Sequence, residues 1–267
     1  MQLLKQANVP VKHISLKSTY LNRDVLVDIY LPPTDQETRP TSLLLINDGQ
    51  DLPKFHFDNM LANLYESKEI SPVLCVGIHC SPERRMEYGT ASILDYRGRG
   101  AKAKAHQDFV FKELMPHINS IWKNGFSDKA YAGFSLGGLS AIDTVWNYPN
   151  EFSKAGVFSG SLWWRLKDLH HGYNENTDRI IHKLIREGEY KPGLKFYFTT
   201  GSLDEKMDRN NNGIIDSIDD TLGLIEELEK KGYNEDDIRY VNYEDGKHDV
   251  KTWGRAMPAF LKWGWGM

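Results

Sequence analysis

Lys129-Ala-Tyr-Ala-Gly-Phe-Ser-Leu-Gly-Gly-Leu-Ser140 is a short apolar run that breaks at a serine and resumes as a helix-like stretch. Its centre reads Gly133-x-Ser135-x-Gly137. The residues before it predict a strand over Lys129–Ala132, and those after it a helix over Leu139–Trp146 that closes at Pro149. A strand that turns at once into a helix leaves the serine between them strained, with its hydroxyl exposed above the sheet. The positions two residues to either side must lack side chains for the chain to turn so sharply. The helix N-terminus then points backbone N–H groups at the place where a negative oxygen would develop. This context separates a nucleophile elbow from Gly and Ser that merely cap a helix.

Working outward, apolar strand-like runs alternate with amphipathic stretches along the whole chain. Asp24–Leu31 has the period-2 alternation of a half-exposed strand and is broken by Pro32-Pro33. Thr41–Ile46 and Val73–Ile78 are short continuous apolar runs, the pattern of central parallel strands. Ala155–Phe158, Leu194–Thr199 and Ile238–Tyr243 are further strand candidates, and helices are predicted over His106–Trp122, Asp178–Glu187, Thr221–Lys231 and Trp253–Trp263. The reading is one α/β domain over 1–267, a mostly parallel central sheet with helices on both faces and an antiparallel edge near the N-terminus. Ser81–Ala105, rich in Arg, Gly and Tyr, follows a central strand, where open α/β sheets place their ligand crevice.

A serine hydroxyl needs a base and an orienting acid. In chains with this elbow the order is Ser, acid, His. Downstream of Ser135, His182 sits in a helix-like stretch and reads as a surface residue. His248 falls in Glu244-Asp-Gly-Lys-His-Asp249, a loop between the last strand and the last helix, where the base belongs. The acid candidate is Asp204 in Thr200-Gly-Ser-Leu-Asp-Glu205, directly after a predicted strand; Glu205 and Asp208 compete with it. The oxyanion donors are read as the N–H of Leu136 and the N–H of Gln50, the latter in Ile46-Asn-Asp-Gly-Gln-Asp51. The chemistry these residues permit is hydrolysis of a carboxylic ester through an acyl-serine. Acyl transfer to an alcohol uses the same groups, and a binding protein without turnover is the reading from another class.

The chain resembles the esterase D / enterochelin-esterase-like branch of α/β hydrolases. The likeness rests on Asn47-Asp-Gly-Gln50, Arg84-Arg-Met-Glu-Tyr88, Gly133-Phe-Ser-Leu-Gly-Gly138, Ser159-Gly-Ser-Leu-Trp-Trp164 and Gly246-Lys-His-Asp-Val-Lys-Thr-Trp253. It implies an α/β-hydrolase fold and ester hydrolysis without a catalytic cofactor, with Ser135 as nucleophile, His248 as base and Asp204 as acid. Trp163 and Trp164 are then either pocket-lining or core aromatics. Arg84 and Arg85 either recognise a substrate carboxylate or form surface ion pairs. The resemblance leaves the particular ester open.

Asp208-Arg-Asn-Asn-Asn-Gly-Ile-Ile-Asp-Ser-Ile-Asp219 fits the twelve-residue calcium loop of EF-hands. Asp208, Asn210, Asn212, Asp216 and Asp219 supply side-chain oxygens, Ile214 a carbonyl, and Gly213 the sharp turn. Two departures are the Asp at the last position, shorter than the usual Glu, and the absence of a leading helix. A structural Ca²⁺ is the expectation, and an Asn/Asp/Gly turn that binds nothing is the alternative.

The remaining signals exclude partners. A net charge of −4 with no basic stripe argues against nucleic acid. No window is apolar enough to span a membrane, and Met1–His13 lacks the apolar core of a secretory signal, so a cytoplasmic protein acting on a small-molecule ester is expected. Cys75 and Cys80, about 16 Å apart along an extended strand, read as buried free thiols. The oligomeric state is not legible.

Overall fold

The computed structural model describes residues 8–33 and 41–267. Its eight strands are β1 Val11–Ser18, β2 Arg23–Tyr30, β3 Ser42–Asn47, β4 Val73–Ile78, β5 Lys129–Phe134, β6 Lys154–Phe158, β7 Lys195–Leu203 and β8 Ile238–Lys247. They form one sheet in the order β1-β2-β4-β3-β5-β6-β7-β8. β1 and β2 are antiparallel to each other and to β4, and every other pairing is parallel. This is the mostly parallel α/β sheet that the sequence pattern predicts, in the α/β-hydrolase architecture that the resemblance implies.

The central strands read as unbroken apolar runs because both of their faces are covered. Leu43 and Leu45 of β3 point into one core, and Leu44 and Ile46 into the other. The helices are α1 Phe57–Glu66, α2 Arg84–Glu87, α3 Ala103–Phe109, α4 Met115–Ile121, α5 Leu136–Asn147, α6 Glu175–Asp178, α7 Ile180–Glu187, α8 Asp216–Lys231 and α9 Val250–Trp265. Side chains of α3, α4, α5, α7 and α8 fill one core, and those of α1 and α9 fill the other. A π-helical turn, Val110–Leu114, joins α3 to α4. Among the described residues no helix is long and apolar enough to cross a membrane.

Two expectations need correction. β1 was not foreseen: its Lys12, His13, Ser15 and Lys17 are exposed, as an edge strand allows, and dilute the apolar signal. His182 is not a surface residue. It is buried between α7 and α8, its Nε2 lies 2.8 Å from the carbonyl of Asp220, and burial holds its pKa well below the ordinary value. The two cysteines are free as expected, with Cys75 buried and Cys80 half-buried.

Candidate active site

Ser135 stands between β5 and α5 with φ 54° and ψ −118°, a left-handed conformation that a non-glycine residue adopts only under constraint. The constraints are visible. Its N–H donates to the Phe158 carbonyl at 2.8 Å, and its own carbonyl accepts from Ser161, Gly138 and Leu139. A Cβ at Gly133 would overlap the backbone of Gly137, so the crossing of strand and helix requires glycine. The Ser135 hydroxyl lies half-buried, 3.2 Å from the Ser161 hydroxyl.

The turn after β3 is clamped to this elbow. Asn47 Nδ2 donates to the Gly137 carbonyl at 2.9 Å, while Asn47 Oδ1 accepts from the Tyr131 hydroxyl. Asp48 takes a left-handed φ of 62° and accepts from Nε and Nη2 of Arg84, at 2.7 and 2.6 Å. The same guanidinium donates to the Phe134 carbonyl, one residue before the serine. Gln50 is tied sideways, its Oε1 accepting from the N–H of Cys80. Leu136 opens α5 and Gln50 sits in the first turn of the 3-10 helix Gly49–Phe55. Backbone N–H groups in a first turn have no partner one turn earlier.

The acid and base candidates meet through a slip between the last two strands. Gly201 pairs with Tyr243, but Leu203 pairs with Lys247, so β8 gains two residues over β7. Asp204 and His248 are the next residue on each strand, and the slip brings them abreast. Glu244–Lys247 is therefore strand, where the sequence suggested loop. Asp204 Oδ2 accepts from the Gly201 N–H at 2.9 Å, and its Oδ1 is buried without a partner among the described residues. Burial raises the Asp204 pKa, against the lowering effect of the Gly201 N–H, the Ser159 hydroxyl and His248. His248 shifts down through lost hydration, against the pull of the Asp204 charge, and nearby Arg84 adds to the lowering. The His248 ring meets Trp253 edge-on at 5.3 Å; that indole stacks on Phe134 and donates to the Ser159 hydroxyl at 3.2 Å. Asp249 caps α9 by accepting from the Thr252 N–H.

Of the other candidates, Glu205 holds its proton up to about 7 because of burial and the nearby charge of Asp216. Trp163 is half-buried and lines a cleft beyond β6. Trp164 is fully buried and belongs to the core, so the two indoles divide between the alternatives left open for them. Arg84 forms an ion pair within the chain rather than a free carboxylate receptor, and Arg85 is exposed on the short helix α2. Sequence reasoning missed Ser161, Trp253 and Asp48. All three fall inside the quoted motifs but were given no role there, because each acts through a contact between distant parts of the chain.

The loop Asp208–Asp219 closes on itself. Asp208 accepts from the N–H groups of Asn212 and Gly213, and the Asn212 amide donates to Asp219 at 2.8 Å. Arg209 is almost buried against Glu175, Asp216 and Asp220. Among the described residues no three His, Cys, Asp or Glu side chains are gathered as a metal site.

The family model described as "Putative esterase" matches residues 18–263. The iron(III) enterobactin esterase of Escherichia coli (strain K12) is 26% identical over 256 residues, which cover 92% of this chain and 54% of that protein. The uncharacterized protein YbbA of Bacillus subtilis (strain 168) is 24% identical over 249 residues, covering 89% of this chain and 91% of that one. In structure, the enterobactin esterase of Shigella flexneri superimposes with a TM-score of 0.73 at 22% identity, over 95% of this chain and 58% of its own. The chain thus spans little more than half of the enterobactin esterases it matches. An IroE-like serine hydrolase from Shewanella oneidensis gives a TM-score of 0.65 at 21% identity, over 95% of this chain and 79% of that one. With an eight-stranded mostly parallel sheet, a glycine-flanked serine at its elbow and a family model spanning nearly its full length, this chain belongs to the Putative esterase family of α/β hydrolases.

Proposed function

We propose that the protein is a serine-dependent carboxylic ester hydrolase working through an acyl-serine intermediate. The observation that carries this reading is the strained Ser135 at the strand–helix elbow, and the Asp204–His248 pair set abreast by the β7–β8 slip supports it. In the proposed reaction Ser135 Oγ bonds to the ester carbonyl carbon while His248 takes the hydroxyl proton. The carbonyl oxygen, now negative, faces the N–H groups of Leu136 and Gln50. The C–O bond to the alcohol breaks, and His248 returns the proton to the leaving oxygen. Water, deprotonated by His248, then releases the acid. Asp204 Oδ1, the oxygen left without a partner, is the acceptor that would fix the His248 ring. The relatives named for esterases, among them the enterobactin esterases, support an ester as substrate.

A fluorophosphonate probe is expected to add one covalent group, mapped by mass spectrometry to Ser135. Labelling should be slowed strongly in His248→Ala, whereas an unlabelled Ser135 would remove the proposal. A base must be neutral to act, so activity rises with pH through the His248 pKa. Because that pKa is lowered, the acid limb of kcat/KM is expected to have its midpoint below 6.5, the ordinary histidine value. A midpoint at or above 6.5 would show that another group controls the rate.

The same proposal gives the Asp208–Asp219 loop a structural calcium ion steadying the segment after Asp204. It rests on oxygen-bearing residues at the required spacing, and it requires the amides of Asn210 and Asn212 to release Asp219. A loop of this kind with Kd of roughly 10⁻⁴ to 10⁻³ M should raise Tm by a few degrees in millimolar calcium. EGTA should reverse the rise and Asp208→Asn abolish it. A Tm indifferent to calcium would leave the loop as a turn held by its own hydrogen bonds.

A further inference from the structure

A cleft of about 270 Å³ opens beyond the C-terminal ends of β6 and β7, walled by Tyr96, Arg97, Arg99, Trp163, Arg165 and Glu205 among others. It adjoins the candidate active site on two sides. Trp163 lies two residues after Ser161, whose hydroxyl is 3.2 Å from that of Ser135, and two residues of chain span at most about 7 Å. Glu205 directly follows Asp204.

The cleft is a stack of arginines on aromatic faces. Arg165 lies 5.2 Å from the Tyr96 ring, 5.9 Å from Trp163 and 5.8 Å from Tyr173. Arg99 lies 5.0 Å from both Trp163 and Trp164, and Arg97 5.2 Å from Tyr96. Stacking holds a guanidinium in place while leaving its in-plane N–H groups free to donate. The charges do not balance. Asp95 accepts from Arg99 at 2.6 Å, but neither Arg97 nor Arg165 forms an ion pair among the described residues. Among the described residues Arg165 Nε is buried without any hydrogen-bond partner. Among the described residues the carboxylates opposite form no ion pair with them, and Asp216 is engaged by Arg209. A buried guanidinium nitrogen without an acceptor is costly unless a ligand supplies one.

We propose that this cleft is a specificity subsite for an ester that carries a carboxylate, which Arg165 and Arg97 receive while the ester carbonyl lies at Ser135. The inference rests on the ester-hydrolase reading above and adds the substrate's charge to it. The carboxylate sits on either the acyl or the alcohol part, and paired substrates separate the two. On the acyl side, 4-nitrophenyl hydrogen glutarate is compared with the neutral 4-nitrophenyl pentanoate. On the alcohol side, 4-acetoxybenzoate is compared with its methyl ester.

In one of these pairs kcat/KM for the carboxylate ester is expected to exceed that of its neutral partner at least tenfold. Arg165→Gln and Arg97→Gln should lower that ratio by roughly ten- to hundredfold, the range of a charge-assisted hydrogen bond, mainly through KM. Arg165→Lys, which keeps the charge but not the fork, should restore part of it. A ratio at or below one in the parent for both pairs, or a ratio unmoved by both glutamine variants, overturns the subsite. Phosphonate labelling distinguishes that failure from a deeper one. A Ser135 that labels while carboxylate esters are disfavoured sinks the subsite alone, and a Ser135 that does not label sinks the hydrolase reading beneath it.

Discussion

Ser135→Ala is expected to lower kcat on 4-nitrophenyl butyrate by about 10⁴ to 10⁶, the range found when a triad nucleophile is removed. The size follows from geometry. Ser135 alone combines a strained backbone with a helix N-terminus behind it. Ser161, 3.2 Å away, cannot replace it: its segment carries no helix start, and its N–H is already given to the Ser135 carbonyl. Ser161→Ala is therefore expected to cost far less. A steady-state assay with active-site titration checks both variants, and a Ser135→Ala rate within tenfold of the parent would remove Ser135 from the reaction.

The second large effect is expected at a residue that touches no substrate. An alanine at Gly201 would put its Cβ 2.5 Å from the carbonyl carbon of Gly246 and 2.8 Å from Asp204 Oδ1. Two backbones cross here at the slip that sets Asp204 beside His248, and neither can yield without moving one of them. A displacement of about 1 Å in a catalytic group costs roughly 10² in rate. Gly201→Ala is expected to lose at least that in kcat, with KM little changed. Circular dichroism and the melting temperature would show whether the fold survives. A folded variant with normal kcat would mean that the Asp204–His248 placement does not govern turnover.

These two sites mark what a single sequence discloses. The elbow was legible because its constraint is local: strand, serine and helix lie within twelve residues, and the glycines stand at fixed offsets. The proposals for His248 and Asp204 came from chain order and from the strand ends they follow. The slip that aligns them was not legible, because glycines at 201 and 246 acquire meaning only when the strands cross. Trp163 and Trp164 could not be told apart while the path of the Arg97–Arg99 loop was unknown. His182 misled because its helix carries charges on one side, and only the packing of α8 shows which side is covered. The arginine cleft was missed for the same reason, its guanidiniums coming from two loops about 65 residues apart (Arg165 and Arg99 differ by 66 positions).

Every proposed reacting group sits at the carboxyl ends of the strands, and this polarity makes the opposite rim a safe handle. The turn at 123–125 is exposed and leads into the start of β5, a strand whose six residues span about 20 Å at the usual rise. A cysteine introduced as Asn124→Cys would compete with no native thiol. Cys75 is buried, and burial beside Asp48 pushes the Cys80 thiol up to about 12, leaving little thiolate at neutral pH. Coupled to a maleimide surface through that residue, the molecule would stand upright with its cleft facing the bulk solution, so that immobilisation fixes orientation as well as position.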